Sequence, residues 1–164
     1  MATMRTLFDD ACRTDVLARL RHVRPDARPL WGRMTAPQMV VHLADQMRMT
    51  LGNARWTRMP PGYLRWPGMK QAALYWLPWP KGEIQGPPEA FVTRPTDWAA
   101  DIATVEELVA RFAARGAGGA WPAHSHFGRL NGRQWACSAT VISTTICASS
   151  EPEHRTPRRT VARS

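Results

Sequence analysis

The sequence predicts an all-α fold, and three observations carry that prediction. Apolar residues recur at helical spacing in three separate stretches. Those stretches are bounded by Pro, Gly and N-cap residues placed where helices start and stop. No stretch alternates apolar and polar residues as a half-buried strand would, and no internal repeat is visible.

The first helix is expected from about Asp9 to His22, with Val16, Leu17, Leu20 and Val23 on one face and Pro25 ending it. Thr35 followed by Ala-Pro-Gln reads as an N-cap with Pro in the first turn and Gln38 completing a capping box. It opens a second helix whose apolar stripe is Met39, Val40, Leu43, Met47 and Leu51, closed by Gly52. A third helix is expected from Gly68 to Leu77, between Pro67 and Pro78. The Pro- and Trp-rich stretch WLPWPKGEIQGPPEAF reads as an ordered loop between helices three and four. The fourth helix spans about Asp97 to Arg115, turns Ile102, Val105, Leu108, Val109 and Phe112 inward, and stops at GAGG. HSHFGRLNGRQW then reads as a turn into a fifth helix.

That fifth helix meets a poor sequence. From Thr140 to Ile146, six of seven residues are β-branched. Such side chains lose rotamer freedom against the preceding helical turn. The segment ACSATVISTTICASS is therefore expected to be a degraded last helix: frayed, irregular or unstable, and uncharged enough to aggregate if exposed. The chain divides accordingly into a bundle over residues 1–135, an aberrant block over 136–150, and a basic tail over 151–164 expected to be disordered.

Composition bounds the rest. The 164 residues are enough for one domain with a real core. No run approaches the ~18 apolar residues that span a bilayer, so no membrane partner is expected. The stretch MATMRTLFDDAC lacks the apolar run of a secretory signal. Cys12, Cys137 and Cys147 are odd in number and lack metal-site spacing, which points to a reducing cytoplasm. The net charge of +9 invites nucleic acid, but the Arg residues are scattered among acids and no recognition motif is present. Specific nucleic-acid binding is not expected.

Three blocks in order, WGRMTAPQMVVHLADQMRM, LYWLPWPKG and HSHFGRLNGRQW, resemble landmarks of an uncharacterised branch of the DinB-like superfamily. The resemblance covers about Leu7 to Trp135. It implies an up-down helical bundle, and a divalent-metal-dependent hydrolase or thiol transferase acting on a small molecule of unknown identity. It also implies a bacterial, cytoplasmic protein for which a homodimer is a candidate state. In that family a His on the second helix and an HxxxH pair on the last helix bind the metal, zinc or nickel. His42 matches the first. The places of the other two are taken by Ile142 and Ile146.

The genetic code offers a reason. Trp135 can only be TGG, and reading one base earlier from its last G begins with Gly. In that frame Thr140, Ile142, Thr144, Thr145 and Ile146 each supply the last two bases of an NAC or NAT codon, which encodes only Tyr, His, Asn or Asp. The family-like peptide GVLGYRHIDHHLRQFG meets that constraint throughout, although the free base of each codon leaves other peptides open. The block after Trp135 is thus expected to be frameshifted, by sequencing error or by mutation. As written, the chain is expected to bind no metal at His42, to need no cofactor and to lack activity. Metal affinity abolished by His42→Ala would overturn that.

Blander readings stand beside these. His42 alone would be a hydrogen-bonded core His, and the protein a metal-free bundle that binds a small ligand or another protein. Asp45, three residues after His42, would orient a ligand or simply be solvated. His124 and His126 read as turn residues, with ligation the less favoured role, and His22 and His154 as surface residues. The eight Trp read as packing for the bundle and the loop.

Overall fold

A computed structural model describes residues 5–29, 33–54, 62, 66–76 and 91–148, with Pro67 and residues 141–148 described by backbone alone. The Pro/Trp-rich loop and the tail from Glu151 lie outside the described residues.

The described chain is all-α: α1 (Asp10–His22), α2 (Ala36–Thr50), α3 (Pro67–Tyr75), α4 (Trp98–Arg115) and α5 (Gly132–Ala148). A two-stranded hairpin, β1 (Ala123–His124) and β2 (Gly128–Arg129), fills the place read as a turn, with Ala123 opposite Arg129. Gly128 has φ +69°, a left-handed value that Gly adopts without steric cost where the loop re-enters the strand.

Four helices close a ring. α4 packs on α1 and α2, and α5 packs on the same two, so α1 and α2 sit on one diagonal and α4 and α5 on the other. α3 lies outside the ring against α5. The main core joins Leu7, Val16 and Leu20 to Met39, Val40, Leu43 and Met47 of α2, Val105, Val109 and Phe112 of α4, and Ala136 and Ala139 of α5. These include most of the inward residues expected from spacing. A satellite cluster of Leu74, Phe127, Leu130 and Trp135 ties α3 and the hairpin to α5, and Trp121 packs against both clusters.

Helix starts follow local chemistry. The Thr35 hydroxyl accepts from the Gln38 N–H, and the Gln38 side chain accepts from the Thr35 N–H at 2.9 Å. Asp97 caps α4 by accepting from the Ala100 N–H at 2.8 Å. α5 has a reciprocal cap of its own. The Asn131 side chain accepts from the Gln134 N–H, and Gln134 accepts from the Asn131 N–H. A Cβ on Gly132 would lie 2.2 Å from the Ala117 carbonyl oxygen, so the loop after α4 seats directly on the start of α5.

Here the structure departs from expectation. α5 runs without a break from Gly132 to Ala148, straight across the boundary between residues 135 and 136. The β-branched residues each cost a helix at most ~0.7 kcal/mol against Ala, about 3–4 kcal/mol together. Against that stand the Asn131 cap and the continuous burial of α5 from Gln134 to Thr140. Trp135, Ala136, Cys137, Ser138, Ala139 and Thr140 are all buried. The Thr140 hydroxyl accepts from the buried Leu7 N–H at 3.0 Å and donates to the Ala136 carbonyl. Tertiary packing outweighs propensity. The Trp residues also divide: Trp135 and Trp121 pack inside, whereas Trp66 and Trp76 are exposed.

Candidate functional site

α2 positions the candidate residue. Its capping box fixes the first turn, and the apolar stripe that faces the main core leaves Val41, His42, Asp45 and Met49 on other faces. All four are nevertheless buried, with His42 only 8% exposed. Among the described residues, the segment before α4 covers one face of the His42 ring. The Phe91 ring stacks on the imidazole with centroids 4.5 Å apart and planes 17° from parallel.

Asp45 holds that cover in place. Its carboxylate accepts from the Thr93 N–H at 2.9 Å, from the Thr93 hydroxyl, and from Arg48 at 2.8 Å. Arg48 also donates to the Thr93 hydroxyl. A buried carboxylate with three donors is satisfied, and removing it would strand several polar groups at once. Asp45 is therefore neither solvated nor a partner of the His42 ring. It ties the chain two residues after Phe91 to α2, a structural role that spacing alone did not reveal.

The two positions that the resemblance gives to the other ligands lie on α5. Residues 142 and 146 are one turn apart in an unbroken helix, so its backbone puts them on one face, and α5 packs against α2. The donor set does not suit a metal. Isoleucine has no lone pair, and among the described residues no three His, Cys, Asp or Glu side chains come together as a metal site would require.

His124 and His126 belong elsewhere. His124 Nδ1 accepts from the backbone N–H of His126 at 3.1 Å and of Phe127 at 3.4 Å. Its ring packs on Phe127 and Trp135, with centroids 4.9 and 5.0 Å away. Burial, and then the neighbouring His126, push its pKa down to about 3. A neutral Nδ1 acceptor is what the turn requires, so His124 builds the hairpin. Cys137 is a buried free thiol whose pKa burial raises, which leaves it a poor nucleophile near neutrality. His22 is exposed, its Nδ1 2.7 Å from the Ala18 carbonyl, and His154 lies outside the described residues.

One feature of α5 was not legible in advance. Ser138 is 2% exposed, and its hydroxyl has no hydrogen-bond partner among the described residues. No family model matches the chain, and neither the curated proteins nor the solved structures contain a match to it. No helix among the described residues is long and apolar enough to cross a membrane.

Proposed function

We propose that the chain is a DinB-like helical bundle, cytoplasmic and bacterial, descended from a divalent-metal-dependent hydrolase or thiol transferase. In this reading the segment after Trp135 is out of frame, and the protein as written lacks that chemistry. The observation that carries the proposal is the placement of His42. It is buried on α2, a neighbour of α5, and α5 carries on one face the two positions where the resemblance puts the other ligands. Restoring His at both would add an i, i+4 pair able to grip one ion. An ion held there would act as a Lewis acid or lower the pKa of bound water. In the chain as written Ile stands at both positions, so no step is assigned to a metal.

The test is a pair of proteins, the chain as written and the frame-restored chain, each titrated with zinc and nickel. Stoichiometric binding by the frame-restored protein alone, abolished by His42→Ala, is the expected result. Equal binding by both, or by neither, would overturn the proposal. Re-reading the DNA across the codons for Arg133 to Cys137 decides independently whether a G is missing.

A further inference from the structure

The outer face of α3 has the wrong character for a surface left in water. Trp66 is 70% exposed and Trp76 77%, and Met69 is exposed between them. Trp66 and Trp76 cap the two ends of α3, with exposed Met69 and half-buried Ala72 on the helix between them. The opposite side holds Leu74, packed in the satellite cluster with Phe127, Leu130 and Trp135. α3 is thus apolar on both sides, and among the described residues only one of them is covered.

Cations border α3 on the side of the hairpin and α5. The Lys70 ammonium donates to the Arg129 carbonyl at 3.0 Å, which brings the open end of the hairpin beside α3. Arg129 and Arg133 are exposed. Among the described residues, no carboxylate pairs with Lys70, Arg129 or Arg133. Acids are absent from this end of the sequence, with none between Glu107 and Glu151.

We propose that the α3 face of Trp66, Met69 and Trp76, framed by Lys70, Arg129 and Arg133, docks on an anionic lipid surface. Tryptophan rings favour the level of the lipid headgroups, aliphatic side chains enter the acyl boundary, and neighbouring cations meet anionic headgroups. The expectation of no membrane partner rested on the absence of a spanning segment, and a helix lying in the interface needs none. Charge argues against a second copy as the occupant. Face-to-face pairing would bring the same unpaired cations of two chains together. Single-stranded nucleic acid would use the Trp rings and the cations, yet would leave Met69 without a partner.

The test is sedimentation of the full chain with vesicles of phosphatidylcholine alone or with about 30 mol% phosphatidylglycerol, alongside tryptophan emission. Binding to the anionic vesicles, with a blue shift and at least tenfold weaker binding to the neutral ones, is the expected result. Each cation at the surface contributes about fivefold in partition, so Lys70→Gln with Arg133→Gln should lower it about 25-fold. Trp66→Ser with Trp76→Ser should abolish the blue shift's contribution from α3 and weaken binding at least tenfold. Because both rings are exposed, the melting temperature should not fall; Met69→Asp serves if that double variant fails to fold. Equal binding to both vesicle types, insensitivity to all three variants, Trp-dependent dimerisation, or tighter binding to an oligo-dT strand would each overturn the proposal.

Discussion

Acidification should destabilise this protein through His124, and by a calculable amount. In the unfolded chain the imidazole binds a proton near pH 6.5. In the folded protein it stays neutral until about pH 3, because burial and His126 oppose the charge. The folded pKa is therefore depressed. The stability this group contributes is complete above pH 6.5 and is lost as pH falls from there towards 3. The slope is about 1.36 kcal/mol per pH unit. Moving from pH 7.5 to 5.0 should remove about 2 kcal/mol, a large share of the 5–15 kcal/mol typical of a domain. The structural reason is the Nδ1 lone pair, which accepts two turn N–H groups and cannot be protonated without releasing them. The assay is urea unfolding at half-unit steps from pH 7.5 to 5.0, for the wild type and for His124→Asn. Asparagine retains an acceptor near the Nδ1 position but does not titrate. It should begin about 1 kcal/mol less stable, having lost the ring contacts, and then fall much less steeply. Parallel pH profiles for the two proteins would refute the reasoning.

Other perturbations test the remaining elements. Ser138→Ala removes a buried hydroxyl without a partner among the described residues and should stabilise the protein by about 1–2 kcal/mol in urea unfolding. Thr140→Val keeps the shape but strands the buried Leu7 N–H, and should cost about 1–3 kcal/mol by the same assay. Asp45→Asn weakens the charged contact to Arg48 and the two from Thr93. It should cost about 2–3 kcal/mol and release Phe91 from His42, visible as a change in the His42 ring proton shifts.

Much of this was legible because it is local. The Thr35–Gln38 box, the inward stripe of α4 and the stops after α1 and α4 depend on neighbours within a few residues, and side-chain chemistry at that range is written in order along the chain. The burial of His42 followed from its place on a largely apolar helix. Other contacts were hidden by distance in sequence. Asp45 meets Thr93 across 48 residues, and Thr140 meets Leu7 across 133. No spacing rule joins such pairs. The Asn131–Gln134 cap is as local as the Thr35–Gln38 box, but it opens a helix whose β-branched run argues against it.

The sequence by itself determined that the chain is helical and, to within a residue, where α1, α2 and α4 begin and end. It did so because capping and periodicity are short-range rules. Only the tertiary structure decided that α5 continues as a helix through an unfavourable stretch, that Asp45 anchors Phe91 over His42, and that Trp66 and Trp76 face outward. The physical reason is common to all three. Helix propensities are worth tenths of a kcal/mol per residue, whereas burial and satisfied hydrogen bonds between distant segments are worth whole ones.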